Sequence, residues 1–273
     1  MGKIVGAFTS GHTALMIRRF QEADPEQAKR IMDGFEEIRR RVSEVKPDAI
    51  LVVATDHLKT FFLNNMPAFC LGVGDECRAW GEGGVSKYRI AVHKKLARAI
   101  LEACLQGGFD LAYSEEMPLD HSFMTPLHFI RPEMDIPIIP LFQNHAVKPL
   151  PTPRRCYQLG AMIRDAVEKQ GDGGRVVMLG TGGLSHWVGR PEMGTINADF
   201  DRRVLMMISS GKGEEITRWN FEEVEKEAGN GANEIRNWLT VMGAVGGRKG
   251  EVLAYEPVAA WATGIGVVAY ELP

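Results

Sequence analysis

Four of the seven histidines come directly after a segment whose apolar residues predict a β-strand. His12 follows KIVGAFTSG, His57 follows AILVVATD, His121 follows LAYSEEMPLD and His186 follows RVVMLGTGGLS. In open α/β sheets, ligands bind outside the carboxyl ends of the strands, so we expect these imidazoles to converge on one pocket. Imidazoles that converge can bind a metal ion, and they can also transfer protons near neutral pH because their unperturbed pKa is ~6.5.

A metal site with two imidazoles needs a carboxylate to complete it, and two glutamates near the C-terminus are candidates. Glu234 lies in AGNGANEIRNW, at the start of an apolar-periodic helix and after small residues that leave room for a metal or another chain segment. Glu256 lies in LAYEPVA, just before Pro257. The spacing alone does not decide between the two glutamates. A face of two imidazoles and one carboxylate, with open coordination positions, suits Fe(II).

No other enzyme signature accompanies these histidines. The sequence has no GxSxG elbow, no Walker loop and no HExxH helix. The GTGG segment indicates either an anion-binding nest or a tight turn that aims Ser185 and His186 into the pocket, and we favour the turn. Asp56 and Asp120 each precede a pocket histidine. They could orient an imidazole, or they could begin a turn or cap a helix.

The elements that must position these residues alternate between strand and helix. Apolar runs predict strands at 3–8, 49–54, 90–92, 111–113, 136–141 and 175–179, and residues 253–273 are again β-type. Helical periodicity covers 24–45, 93–106, 157–170, 199–209, 221–228 and 231–245. The stretch 61–87 has little periodicity and reads as a loop. We therefore predict one α/β domain over residues 1–273, with a largely parallel or mixed central sheet flanked by helices and an active site at the carboxyl ends of the strands.

Composition excludes several classes of protein. The formal net charge of −3 and the absence of a basic cluster argue against nucleic-acid binding. No apolar run reaches the ~18 residues of a membrane span, and the N-terminus lacks the pattern of a secretory leader. Four irregularly spaced cysteines without a CxxC argue against a disulfide framework. We therefore expect a cytoplasmic protein that binds neither nucleic acid nor membrane.

The chain resembles the class III extradiol dioxygenases of the protocatechuate 4,5-dioxygenase β-subunit type. The resemblance covers nearly the whole chain and rests on the order of several short motifs: TSGH, ATDH, PLDHSFMTPL, GTGGLSH, NADFDR and GANEIRNWLTVMGA. It implies an α/β fold, Fe(II) as the cofactor, and opening of a catechol-type ring with insertion of both atoms of O2.

The resemblance also implies a role for each candidate residue. His12, His57 and Glu234 match the metal ligands, which favours Glu234 over Glu256. His186 matches the acid/base histidine that would deprotonate the second substrate hydroxyl, and His121 matches a second pocket histidine that assists proton transfer. His93, His128 and His145 match no motif, so we treat them as structural or surface residues.

Two other functions compete with this interpretation, and the sequence also leaves two possibilities for the quaternary structure. The same ligands could hold zinc in a hydrolase, or the chain could be a non-catalytic binding protein of the same fold. We expect a homo-oligomer, with a small lid subunit as the alternative. The identity of the aromatic substrate, and of the residues that recognise a carboxylate on it, cannot be read from the sequence.

Overall fold

A computed structural model describes residues 1–169 and 174–273. The strands are β1 (Lys3–Ser10), β2 (Ala49–Ala54), β3 (Phe69–Gly72), β4 (Glu76–Arg78), β5 (Arg89–Ala91), β6 (Ala112–Ser114), β7 (Ile138–Gln143), β8 (Arg175–Thr181), β9 (Gly250–Val258) and β10 (Thr263–Tyr270). Eight of them form one mixed sheet in the order β6-β3-β7-β2-β8-β1-β10-β9, while β4 and β5 pair separately. The predicted α/β class is confirmed.

Helices cover the sheet. They are α1 (Leu15–Arg18), α2 (Pro25–Val45), α3 (Lys94–Gln106), α4 (His121–Ile130), α5 (Pro153–Glu168), α6 (Ala198–Ser209), α7 (Phe221–Ala228) and α8 (Ile235–Ala244). The predicted helix at 157–170 corresponds to α5, and its last position, Gln170, lies outside the described residues. No helix in the part of the chain described here is both long and apolar enough to cross a membrane.

The centre of the sheet consists of four parallel strands, β7, β2, β8 and β1. Every residue of β2 is buried, as expected for a parallel strand that helices cover on both faces. The carboxyl ends of these four strands meet at one edge of the sheet, which is the edge that carries the candidate residues. The outer strands β3 and β10 run antiparallel to their inner neighbours.

His121 reaches this edge by a route that the strand-end argument did not anticipate. Strand β6 pairs parallel with β3, and β3 runs antiparallel to β7, so β6 points away from the edge that carries the other histidines. The segment 115–120 brings the chain back, and Asp120 caps α4 through its side chain. His121 is therefore the first residue of a helix and does not stand at the end of a central strand.

Local sequence explains where the best-predicted helix begins. Asp24 accepts hydrogen bonds from the backbone N–H groups of Glu26 and Gln27, and Pro25 occupies the first helical position of α2.

The predicted helix at 231–245 begins later than expected, because its first part is a 3₁₀ turn, Asn230–Glu234, and α8 begins only at Ile235. Glu234 thus stands at the junction of two helical segments, with its side chain directed into the protein.

Candidate metal centre and active site

Three of the predicted residues bring ligand atoms to one point. His12 follows β1, His57 follows β2, and Glu234 precedes α8. Oε1 of Glu234 lies 3.3 Å from Nε2 of His12 and 3.6 Å from Nε2 of His57. His12 and Glu234 are buried, and His57 is partly exposed to a cavity. Residues separated by up to 222 positions therefore form one cluster of two imidazoles and one carboxylate.

The remaining ring nitrogens of the two imidazoles are fixed by hydrogen bonds. Nδ1 of His12 lies 3.1 Å from Oγ1 of Thr181, and Nδ1 of His57 lies 2.8 Å from Oδ2 of Asp120. Because a carboxylate accepts hydrogen bonds, Nδ1 of His57 is the donor to Asp120, so Nε2 is the nitrogen that would bind a metal ion once its own proton is displaced. An imidazole whose other nitrogen donates to a carboxylate is the usual arrangement of a metal ligand.

Electrostatics at this point also suit a cation. Burial would raise the pKa of Glu234, but the neighbouring imidazoles of His12 and His186 outweigh it and hold that pKa well below its usual value. Burial lowers the pKa of His12. Burial also acts to lower the pKa of His57, but the hydrogen bonds to Asp120 and Glu234 raise it to about 10. A buried carboxylate that stays ionised beside imidazole nitrogens is a donor set that fits a divalent metal ion.

His186 and His121 lie beside the same cluster. Nε2 of His186 is 3.7 Å from Oε2 of Glu234, and its Nδ1 is 3.3 Å from the carbonyl oxygen of Leu184. The His121 ring stacks on His57 with 4.2 Å between ring centroids, and its Nδ1 is 3.0 Å from Oε2 of Glu82. The four strand-end histidines and Glu234 therefore come together. Ligand atoms of His12, His57 and His121 also lie within 4.8 Å of one another, which makes His121 an alternative third donor.

Two glycines make this packing feasible. Gly182 has φ = 146°, and a Cβ there would lie 2.6 Å from Cβ of Glu234. A Cβ on Gly231 would lie 2.2 Å from Nε2 of His186. Real Cβ atoms are not found this close to a neighbour, so both positions need glycine. The small residues before Glu234 were expected to allow another group to approach closely. The group that approaches Gly231 is the His186 ring.

The neighbouring polar residues have separate tasks. Asp120 binds the His57 imidazole with one oxygen and caps α4 with the other, so both sequence interpretations hold for it. Asp56 accepts hydrogen bonds from the N–H groups of Lys59, Thr60 and Phe61, which makes it a turn residue. The Gly183 N–H donates to Oε2 of Glu234 at 2.8 Å. The GTGG turn therefore binds the Glu234 carboxylate in addition to preceding His186.

One expectation from the sequence is wrong. Ser185 does not point into the pocket, because its side chain is buried against Asp201. His145, which was expected to be a structural or a surface residue, lies in the interior. It is buried, lines a cavity beside His57 and Glu234, and binds Oδ1 of Asn237 through Nε2 at 2.7 Å. Burial lowers the pKa of His145 to about 3, so the imidazole is neutral. Its position two residues after β7 is a signal that could have identified it.

Asp201 is a second functional candidate that the sequence analysis missed. It is fully buried and accepts hydrogen bonds from the Ser185 N–H at 2.7 Å, the Ser185 hydroxyl at 2.9 Å and the Tyr255 hydroxyl at 2.9 Å. Burial outweighs these hydrogen bonds and raises the pKa of Asp201 to about 6. Asp201 therefore anchors the residue that immediately precedes His186.

We expect this carboxylate to make stability depend on pH. Because the folded-state pKa is raised from 3.8 to about 6, the folded protein binds the proton more tightly, and stability falls as pH rises through this range. Asp201→Asn removes the titration, so its stability relative to wild type should improve by about 2 kcal/mol between about pH 4.5 and about pH 7.5. Urea unfolding at both pH values measures the difference. Asp199→Asn, an exposed change on the same helix, is the control and should show no such trend.

Two cavities meet at the cluster and share His57, Val188 and Glu234. The smaller one, about 220 Å³, also touches His12, His121 and His186, and its remaining wall is mainly apolar: Ala14, Leu15, Trp187, Met193, Trp261 and Ala262. The larger one, about 370 Å³, contains His145, Lys148 and Arg190. Glu256 lines neither cavity, because it pairs with Arg30 and Gln27 of α2.

Comparison with known proteins gives relatives over almost the full length. A protein of Photorhabdus laumondii named 2,3-dihydroxyphenylpropionate/2,3-dihydroxicinnamic acid 1,2-dioxygenase is 28% identical over 306 residues, covering 95% of each chain. A protein of Klebsiella pneumoniae with the same name is 28% identical and covers 89% of this chain and 92% of its own. An uncharacterized Escherichia coli K12 protein of known crystal structure shares the fold, with a TM-score of 0.66 and 15% identity over 98% of this chain and 100% of its own.

The family comparison covers the whole cluster. Residues 6–266 match the family described as the catalytic LigB subunit of aromatic ring-opening dioxygenase. This match includes His12, His57, His121, His186 and Glu234, together with all four central parallel strands except the first residues of β1. The chain therefore belongs to the family of the catalytic LigB subunit of aromatic ring-opening dioxygenases.

Proposed function

We propose that this protein is a non-haem Fe(II) extradiol dioxygenase that opens a catechol-type ring. His12, His57 and Glu234 would hold the iron, as in centres of the protocatechuate 4,5-dioxygenase β-subunit type. The observation that carries the proposal is that Nε2 of His12 and Nε2 of His57 both lie within 3.6 Å of Oε1 of Glu234. Bound Fe(II) would supply the transfer of electrons from the catechol to dioxygen.

Glu234 is the better third ligand because of its charge and surroundings. If His12, His57 and His121 were the three ligands, the buried Glu234 carboxylate would lie beside the metal ion without binding it, since Glu234 is only 3.3 Å from Nε2 of His12. An ionised carboxylate in such a place is stabilised when it binds the metal directly. His121 instead donates through Nδ1 to Glu82, whose pKa this contact lowers to about 2.

His186 and His121 would handle protons. With Nδ1 of His186 directed at the Leu184 carbonyl, its Nε2 carries the lone pair that a base for a substrate hydroxyl requires, and the residue lines the smaller cavity. His121 faces the same cavity, and Glu82 fixes the orientation of its ring. The apolar side chains of Leu15, Trp187 and Trp261 would contact the faces of the catechol ring and exclude water from it.

The test is anaerobic reconstitution with Fe(II) followed by an oxygen-uptake screen over catechols. We expect oxygen consumption and a yellow ring-opened product in the iron-loaded protein, while the zinc-loaded protein, a matched control, consumes no oxygen. Hydrolytic activity of the zinc form without oxygen uptake by the iron form would instead establish the hydrolase alternative. Binding of catechols without turnover by either form would identify a non-catalytic binding protein.

We also propose a homo-oligomeric enzyme of the cytoplasm. Met193 and Val188, at the rim of the cavities, are 61% and 44% exposed, so a second copy of the chain could cover them and narrow the entrance. The alternative cover is a small lid subunit. All four cysteines are buried and unbridged, which supports a reducing compartment. Light scattering distinguishes the homo-oligomer from the monomer.

A further inference from the structure

The side chain of Asn237 lies at the centre of a buried hydrogen-bond network beside the candidate metal centre. Asn237 is fully buried and is the third residue of α8, three positions after Glu234. Its Nδ2 donates to the carbonyl oxygen of Thr181 at 2.7 Å, and its Oδ1 lies 2.8 Å from Nε2 of Gln143 and 2.7 Å from Nε2 of His145. One side chain of α8 therefore connects the carboxyl ends of β8 and β7.

The network admits one orientation of the Asn237 amide. A backbone carbonyl only accepts hydrogen bonds, so the amide group that faces the Thr181 carbonyl must be the NH2 group. The amide oxygen of Asn237 then accepts from Gln143 and from Nε2 of His145, which carries its proton. Leucine and an ionised aspartate have a similar shape, but neither combines a donor with an acceptor. Position 237 therefore requires asparagine for its hydrogen bonds and not only for its volume.

Thr181 connects this network to two of the proposed ligands. Its hydroxyl oxygen lies 3.1 Å from Nδ1 of His12. Because Nε2 of His12 is the nitrogen that faces Glu234, a metal-binding His12 would keep its proton on Nδ1 and donate it to Thr181. Two residues after Thr181, the Gly183 N–H donates to Oε2 of Glu234 at 2.8 Å. The segment 181–183 thus contacts both ligands, and Asn237 holds this segment against α8, which directly follows Glu234.

We propose that Asn237 is a positioning residue of the metal centre, which acts through Thr181 to set the distance between His12 and Glu234. This inference rests on the proposed function and adds a residue outside the set of proposed ligands. The path runs from Glu234 along α8 to Asn237, across to Thr181, and through its hydroxyl to His12. All these side chains are buried, so solvent does not compete for the hydrogen bonds between them. Removing a partner that orients a metal-binding histidine typically weakens metal binding by about 10- to 100-fold.

The experiment measures the binding of Co(II), whose visible spectrum reports the geometry of its ligands without any turnover. The dissociation constant is determined under argon by competition with a chelator for wild type, Asn237→Ala, Thr181→Val and the double variant. We expect each single substitution to raise the dissociation constant by about 10- to 100-fold and to change the spectrum of the bound ion. The double variant should lose little more affinity than Asn237→Ala alone, because both substitutions interrupt the same path to His12.

Thr9→Val is the matched control for Thr181→Val. Thr9 is likewise a fully buried threonine of a central strand, β1, and its hydroxyl lies 3.2 Å from the Tyr270 hydroxyl and not beside a proposed ligand. The substitution removes one buried hydrogen bond, so it should lower stability while leaving the Co(II) dissociation constant and spectrum unchanged. An equal loss of affinity in both valine variants would overturn the inference, since any weakening of the central strands would then loosen the site.

The same titrations separate this inference from the proposed function. A wild-type protein that binds no Co(II) would refute both. If wild type binds Co(II) and Glu234→Ala does not, the ligand assignment holds, and wild-type affinity in folded Asn237→Ala protein would then refute the inference alone. Additive losses in the double variant would also refute it, because Asn237 would then act independently of Thr181. Circular dichroism verifies folding, and Asn237→Ser, which retains a small polar group, takes the place of the alanine variant if that variant does not fold.

Discussion

Purified Glu234→Ala protein is expected to contain almost no iron after reconstitution, whereas wild type should hold about one ion per chain. The substitution removes the only carboxylate among the three proposed ligands, and the two remaining imidazoles of His12 and His57 offer no negative charge. Oxygen uptake with a catechol should disappear together with the metal. Iron content by elemental analysis, measured beside circular dichroism to verify folding, gives the result.

Glu256→Ala is the control for this prediction. Sequence spacing alone left Glu256 as an alternative ligand, but its carboxylate contacts Gln27 and Arg30 of α2 and lines neither cavity. We expect the Glu256→Ala protein to keep its iron and its activity. Full iron content in the Glu234→Ala protein would contradict the ligand assignment. In that case iron loss in His121→Ala would identify the imidazole of His121 as the third donor.

The second large effect is expected from His186→Gln, which should lower kcat by about 10²- to 10⁴-fold while the iron content stays at the wild-type level. Glutamine has a similar size and can still hydrogen bond, but it cannot accept the proton of a substrate hydroxyl. Turnover measured with the best catechol, together with iron analysis, tests this expectation. Iron loss in this variant would mean that His186 binds the metal itself.

His128→Gln is the matched control for the His186 variant. Nδ1 of His128 lies 3.0 Å from the Tyr88 hydroxyl, and the residue lines neither cavity at the cluster. The same change of side chain at this position should leave kcat within about twofold of wild type. A comparable loss of turnover in both variants would show that the effect in His186→Gln is not specific to the candidate active site.

Much of the fold was predictable because the signals were local. The fully apolar run of β2 and the Asp24-Pro25 start of α2 identify their elements without tertiary information. Strand β3 was missed, because its four residues lie in a stretch rich in glycine, proline and aromatic residues, and only pairing with β7 and β6 makes them a strand. The antiparallel direction of β3 relative to β7, which determines the direction of β6, is likewise set by long-range pairing.

The candidate site was predictable where its residues followed central parallel strands. This holds for His12, His57 and His186. The strand-end argument also named His121, although that residue begins a helix, and the resemblance to a family favoured Glu234 over Glu256. The same strand-end argument applied to FQNH, which spans the end of β7, would have included His145. Asp201 gave no comparable signal, since a buried carboxylate in a helix can be distinguished from an exposed one only when its partners Ser185 and Tyr255 are known.

The proposed ligands come from opposite ends of the chain, with His12 and His57 in its first quarter and Glu234 in its last. An ion that binds all three recognises the folded chain and not the unfolded one, so bound iron would raise the global stability in proportion to the logarithm of its free concentration. Iron limitation would then affect more than turnover. The population of partly opened molecules, in which the C-terminal segments separate from the first two strands, would rise as the metal dissociates.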